Sequence, residues 1–213
     1  MSLRIAFDLD GVVADMETEL ARCREKLFGA DAASDPGVRR ERKLWQHIES
    51  VENFWERLEE LENGAVRRLA GIAGERAWEI IFITTRPASA GDTVQIQSQR
   101  WLIAKGFPLP SVYVVYGSRG KVAAALSLDV VVDDRLDNCL DVVADSTARP
   151  VLFVGGRSTD EGLPATAERL GISTVRTMKE CLQLLLQHRP PETDKAGIVA
   201  RVMRSLGLSE GSK

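Results

Sequence analysis

The run Ile5-Ala6-Phe7-Asp8-Leu9-Asp10-Gly11-Val12-Val13-Ala14-Asp15 decides how this chain is read. Ile5 to Leu9 is apolar except at Asp8, and so short an apolar run suits a strand buried on both faces, as in a parallel sheet covered by helices. Side chains alternate along a strand with a period of two. Asp8 and Asp10 therefore project the same way at the C-terminal end, and Gly11 permits a sharp departure there. Two carboxylates then share one site. Open parallel sheets bind ligands at the carboxyl ends of their strands, near the point where strand order reverses. The competing reading of the motif alone is a pair of solvated turn aspartates.

Outward from this run, similar apolar stretches recur at Ile80 to Ile83, Val112 to Tyr116, Val130 to Val132 and Val151 to Val154, with helical segments between them. That alternation predicts an α/β fold with a parallel sheet. Asp92 with Gln95 resembles a capping box opening a helix that stops at Gly106, and Thr177 with Glu180 opens the run Cys181 to Leu186. One connection is too long for a simple crossover: about 70 residues separate Asp10 from Ile80, whereas about a dozen suffice for a crossover and its helix. Met16, Leu20, Cys23 and Leu27 fall on one helical face ending near Gly29, and Arg39 to Leu69 is charged with apolar residues at helical spacing. Residues 16–77 are thus expected to form a small helical cap, with residues 1–15 and 78–190 forming the core. Asp31 to Gly37, with Asp35-Pro36-Gly37, reads as an internal loop. Past Arg189-Pro190-Pro191, residues 191–213 predict an amphipathic helix built on Ile198, Val199, Val202, Met203 and Leu206, then a polar tail. That helix would dock on the core or on a second chain, which makes a homodimer one expectation.

Composition narrows the function. The chain has 213 residues, 44% of them apolar, which suits one packed domain carrying an insertion. Its 28 Lys and Arg against 31 Asp and Glu, a net charge of -3, lack the positive excess that tracking a nucleic-acid polymer requires. Small ligands are favoured over polymers. Cys23, Cys139 and Cys181 show no CxxC spacing, and with His47 and His188 they offer too few soft ligands for zinc. No apolar run approaches the roughly 18 to 20 residues that span a bilayer. A soluble, reduced, cytoplasmic protein without a membrane partner is the expectation.

Further strand ends sharpen the chemistry. The second core strand ends Phe82-Ile83-Thr84-Thr85-Arg86-Pro87, the fourth ends Val132-Asp133-Asp134, and Lys121 opens the helix leading into that fourth strand. In a parallel sheet all of them meet at one edge. Asp8, Asp10, Asp133 and Asp134 would repel one another by about 4 kcal/mol for each pair at about 4 Å and an effective dielectric of about 20. Such a cluster calls for a cation. All-oxygen ligands without histidine or thiolate point to a hard ion, Mg²⁺ above all.

Asp8-x-Asp10-Gly11-Val12, a hydrophobic strand ending in Thr85, Lys121, and Asp133-Asp134 resemble, in order, the four motifs of the haloacid dehalogenase superfamily. Within it the chain looks most like the cytosolic-type 5′(3′)-deoxyribonucleotidases. Asn53-Phe54-Trp55-Glu56-Arg57-Leu58 with Asn63-Gly64-Ala65-Val66 resembles their insertion, and Asp133-Asp134-Arg135-Leu136-Asp137-Asn138 their fourth motif. The resemblance covers about residues 4 to 145. It implies a Rossmann-like three-layer core, a parallel sheet between helices, with a small helical cap inserted after the first strand. It also implies a Mg²⁺-dependent phosphomonoesterase acting on a small phosphorylated substrate, with (deoxy)nucleoside monophosphates leading.

The resemblance also assigns roles. Asp8 would attack phosphorus to give an aspartyl-phosphate. Asp10 would protonate the leaving oxygen and then deprotonate the attacking water, and an aspartate here favours phosphate ester hydrolysis over carbon–halogen cleavage. Thr85 would hydrogen-bond the phosphoryl oxygens, and Lys121 would neutralise charge on Asp8 and the transferred group. The metal would be held by the Asp8 carboxylate, the Asp10 carbonyl and Asp134, with Asp133 as alternative or supporting ligand. Asn138 would orient a metal-bound water. Arg86 departs from the nucleotidase pattern, and either grips a second anionic group of the substrate, the favoured reading, or faces solvent. Phe54, Trp55 and Trp45 either wall the substrate site and stack on a base or, the stronger reading, build the core of the insertion. Gly117-Ser118-Arg119-Gly120-Lys121-Val122 has the wrong glycine spacing for a phosphate-binding loop of the Walker type, and Gly155-Gly156 through Gly162 follows a late strand and reads as a turn. A sugar phosphatase, a phosphotransferase and a non-catalytic binding protein of the same fold are the rival expectations.

Overall fold

The computed structural model describes residues 2–29, 37–155 and 162–187. The predicted amphipathic helix at 191–213, with His188, residues 31–36 of the predicted loop and residues 156–161 of the predicted glycine turn lie outside the described residues.

Six parallel strands form one sheet: β1 (Arg4–Asp8), β4 (Glu79–Thr84), β5 (Ser111–Val114), β6 (Val130–Asp133), β7 (Arg149–Phe153) and β8 (Ser173–Val175). Their spatial order is β5-β4-β1-β6-β7-β8. From β1 the chain moves outward through β4 to β5, then returns to lay β6 against the other side of β1. The reversal makes the C-terminal end of β1 the switch point, where open sheets of this kind leave a crevice. The α/β sheet expectation holds, and its reason is visible in β1. Alternation sends Ile5 and Phe7 into the large apolar cluster on one face and Ala6 into a smaller cluster on the other, with Ala123, Val131 and Val142.

Helices cover both faces: α3 (Ala65–Arg76), α4 (Val94–Ala104), α5 (Arg119–Ala125), α6 (Leu136–Asp145), α7 (Leu163–Arg169) and α8 (Met178–Leu186). Between β1 and β4 the insertion begins with the two-residue strand β2 (Ala14–Asp15) and helices α1 (Met16–Phe28) and α2 (Gly37–Ser50). A single 3-10 turn (Phe54–Glu56) and strand β3 (Glu59–Glu60), antiparallel to β2, follow before α3. Arg39 to Leu69 is not the helical stretch its periodicity suggests. Asn53 and Gly64 adopt left-handed backbone conformations that end one segment and set up the next. Among the described residues the insertion has no core apart from the sheet's: Leu20, Leu44, Ile48, Phe54 and Trp55 belong to the same cluster as Ile5, Phe7 and Phe82.

Local signals mostly act where expected. Thr177 Oγ1 accepts from the Glu180 amide, and Glu180 Oε2 accepts from the amide of Arg176, one residue before the cap. At α4 the cap is one residue later than the sequence suggests. Thr93 accepts from the Ile96 amide, while Asp92 pairs with Arg100 at 2.6 Å. Among the described residues no helix is long and apolar enough to cross a membrane.

Candidate active site

The turn after β1 fixes the site. Ala14 and Val13 amides donate to the Leu9 carbonyl at 2.8 and 3.0 Å, and the Gly11 amide donates back to Ala14 at 3.0 Å. Gly11 has φ +81°, and a Cβ there would lie 2.4 Å from Asp134 Oδ2. The turn therefore needs glycine twice over, for its backbone conformation and for the approach of Asp134. β1, β4 and β6 end side by side, so Asp8, Asp10, Thr84, Thr85, Arg86 and Asp134 all line one pocket of about 460 Å³. Met16, Trp45 and Trp55 from the insertion form part of its wall, as do Arg135 and Asn138.

Asp8 lies on the face of β1 that packs on α5 and α6. Arg119, the first residue of α5, is buried and donates from Nη2 to Asp8 Oδ1 at 2.8 Å and to Thr85 Oγ1 at 2.9 Å. Its Nε stands 3.5 Å from Asp133 Oδ2. Burial first, then the neighbouring charge of Asp133, pushes the Asp8 carboxyl well above the usual carboxylate range; Arg119 pulls it down, and Asp10 and Asp134 push it further up. Burial and the surrounding acids together thus outweigh Arg119.

Asp133 and Asp134 divide their work. The Asp133 carboxylate accepts from the Arg135 amide at 2.9 Å and from Asn138 Nδ2 at 2.9 and 3.0 Å. Burial raises its pKa, against the lowering effect of those bonds. Asp133 braces the start of α6, whereas Asp134 lines the pocket. The Asn138 amide is engaged by Asp133.

Arg86 lines the pocket and does not face solvent, the alternative expected of it. It is 2% exposed, and its Nε and Nη2 grip both oxygens of Asp10, with shortest distances of 2.8 and 2.7 Å. Nη1 donates to Ser98 Oγ at 3.0 Å, and the guanidinium lies 4.9 Å from the ring centroid of Trp55.

Lys121 is not brought into the site. It is exposed, and its amide donates to Ser118 Oγ, the cap of α5. Two residues along a helix turn the side chain by about 200°. With Arg119 aimed at the strand ends, Lys121 points away, and Arg119 takes the place expected of it. Phe54 is buried edge-on against Trp55, ring centroids 5.0 Å apart, and belongs to the core instead of the pocket wall. Trp55 does both: buried, with its indole N–H donating to the Pro87 carbonyl, it still presents a face to the pocket. Thr84 is a pocket residue that sequence reasoning passed over. Its hydroxyl and Arg119 Nη1 are, among the described residues, buried polar groups without a hydrogen-bond partner, and the adjacent hydroxyls of Thr84-Thr85 were the available signal. Among the described residues no three acidic, histidine or cysteine side chains are grouped closely enough to hold a metal by themselves.

The order of strands and the helical insertion after the first define the fold. The chain has the fold of haloacid dehalogenase superfamily hydrolases. Its likeness to solved structures includes a protein from Thermotoga maritima provisionally described as a beta-phosphoglucomutase (TM-score 0.59, 16% identity, covering 88% of this chain and 100% of that one). A hydrolase from Pseudomonas syringae is similar over the same shares (TM-score 0.56, 15% identity). A haloacid dehalogenase-like family hydrolase from Streptococcus pneumoniae matches 86% of this chain and 98% of its own length (TM-score 0.53, 12% identity). At these identities the likeness is one of fold. No family model matches the chain, and no curated protein matches it.

Proposed function

We propose that this protein is a phosphomonoester hydrolase working through an aspartyl-phosphate on Asp8, with a small phosphorylated metabolite as substrate and (deoxy)nucleoside monophosphates as the leading class. One observation carries the reading. Asp8 sits at the floor of a pocket beside a buried arginine whose Nη1, like the Thr84 hydroxyl, has no protein partner. Buried polar groups are normally satisfied, and donors beside a carboxylate nucleophile suit the equatorial oxygens of a phosphoryl group. Asp8 attacks phosphorus, the bond to the ester oxygen breaks, and Asp10 supplies the proton that oxygen needs. Water, deprotonated by Asp10, then attacks the acyl-phosphate and releases inorganic phosphate and free Asp8.

The residues fit a Mg²⁺ ion. Burial first, and then the neighbouring acids, raise Asp8; a hard cation relieves the repulsion among those acids, and Mg²⁺ ordinarily takes only one or two carboxylates, completing its shell with water. Asp8 and Asp134 with the Asp10 carbonyl would hold it, and Asp133 would support them from behind. Bound there, the ion would offset charge on Asp8 and on the phosphoryl oxygens.

Beyond the phosphoryl position the wall offers the half-buried Met16 and Trp45, with the buried Trp55 behind them, a surface suited to a flat or apolar leaving group. The reading is tested by inorganic phosphate release from a panel of nucleoside monophosphates, sugar phosphates and acyl phosphates. It is run with Mg²⁺, with chelator, and with an added acceptor alcohol. Mg²⁺-dependent hydrolysis led by nucleotides is expected. A clear preference for sugar phosphates would overturn the substrate class, transfer to the alcohol would overturn hydrolysis, and no release from any ester would overturn the enzyme reading.

A further inference from the structure

We propose that Arg86 is a positioning residue: by gripping the Asp10 carboxylate while seated on the Trp55 indole, it sets where Asp10 stands over the pocket and ties that position to the insertion. The inference rests on the proposed role of Asp10 in proton transfer.

Three observations carry it. Arg86 Nε is 2.8 Å from Asp10 Oδ2 and 3.2 Å from Oδ1, and Nη2 is 2.7 Å from Oδ1, so the fork fixes the carboxylate plane as well as its distance. The Arg86 side chain has no exposed surface while that of Asp10 keeps 13%, so of the two the acid is the more open to the pocket. The guanidinium itself is held on two further sides, by Ser98 Oγ of α4 at 3.0 Å and by Trp55 at 4.9 Å from the ring centroid. Trp55 follows Asn53, whose amide donates to Ala90 and whose side chain accepts from the Asp92 amide, so the 3-10 turn is anchored to the segment after β4. A displacement of the insertion at Trp55 would move the support of Arg86, and with it Asp10. Lys could supply charge here but not the fork.

The roles separate in kinetics. A residue that binds substrate shows its loss in KM, whereas one that orients the proton-transfer group shows it in kcat. The test measures kcat and KM with Mg²⁺ in the full chain, on whichever ester of the panel releases phosphate fastest, for wild type, Arg86→Lys, Arg86→Met and Ser98→Ala. Ser98 is buried and away from the pocket lining, so Ser98→Ala loosens Arg86 without touching substrate, and it serves if the Arg86 variants fail to fold. Positioning gives a kcat at least about tenfold lower in both Arg86 variants, with Lys no better than Met and KM within about threefold of wild type. Ser98→Ala falls in kcat by a smaller factor with the same KM. A raised KM with kcat retained, full rescue by Lys, or unchanged kcat in Ser98→Ala would each overturn the proposal while leaving the phosphatase reading intact. Absence of phosphate release by wild type from every ester in the panel would overturn that reading and this one with it.

Discussion

At the scale of single residues, the balance between Asp8 and its neighbours decides what the site can do. Arg119 is the only basic side chain seen to pair with Asp8 among the described residues, so Arg119→Ala should lower kcat by roughly a hundredfold, the size of effect, about 3 kcal/mol, typical of losing one preorganised donor. Lys121→Ala should leave kcat unchanged, and steady-state kinetics on the two variants distinguishes them. Asp8 also leaves a mark on stability. Its carboxyl pKa is raised in the folded protein, so the folded state binds the proton more tightly than the unfolded one. The stability Asp8 contributes is complete below its unfolded pKa of about 3.9 and declines as pH rises from there through the folded value. Asp8→Asn removes the ionisation, and in metal-free buffer at neutral pH it should melt at a higher temperature than wild type, with the gap closing toward about pH 4. A lower melting temperature for Asp8→Asn at neutral pH would contradict the cost of ionising Asp8 among its buried acidic neighbours. The acids were legible in sequence because a strand's period of two and a short motif place them. The choice of Arg119 over Lys121 was not, because it depends on the rotation of α5 about its axis, fixed by packing and by the Ser118 cap.

At the scale of elements, two close approaches hold the active-site edge together. Gly11→Ala would put a methyl group onto the Asp134 carboxylate in a left-handed turn, so it should cost more than about 1 kcal/mol of stability and displace Asp134. A lowered denaturant midpoint together with lost phosphate release is expected; a variant with wild-type behaviour in both would show that the turn is not constrained as described. Gly120 explains itself differently from the phosphate-loop pattern it faintly resembles. A Cβ there would lie 2.0 Å from the Asp141 carbonyl, so the glycine lets α5 press against α6. Gly120→Ala should destabilise the fold without changing KM, which chemical denaturation and kinetics can check together. The strands β1, β4, β5, β6 and β7 announced themselves as apolar runs. β8 did not, being three residues long with only Val175 buried, and the β2–β3 ribbon is too short to leave a pattern.

At the scale of the whole molecule, one apolar cluster runs from the insertion into the sheet. Unfolding should therefore be cooperative, with the fluorescence of Trp45 and Trp55 in the insertion, read in a Trp78→Phe, Trp101→Phe background, and far-ultraviolet circular dichroism giving coincident transitions. Separate transitions would mean that the insertion folds as its own unit. The architecture was readable because an α/β order of elements leaves few topologies. The Arg86–Asp10–Trp55 contact was not, because it joins residues far apart in sequence through an ion pair and a ring face that no local pattern encodes. The central claim, that Asp8 takes up the phosphoryl group, is tested most directly by acid-quenching the enzyme during turnover of thymidine 5′-monophosphate with Mg²⁺ and mapping phosphorylated peptides by mass spectrometry. A phosphate adduct on Asp8, absent from Asp8→Asn, is the expected result. Turnover with no adduct on Asp8, or with the adduct on another residue, would contradict it.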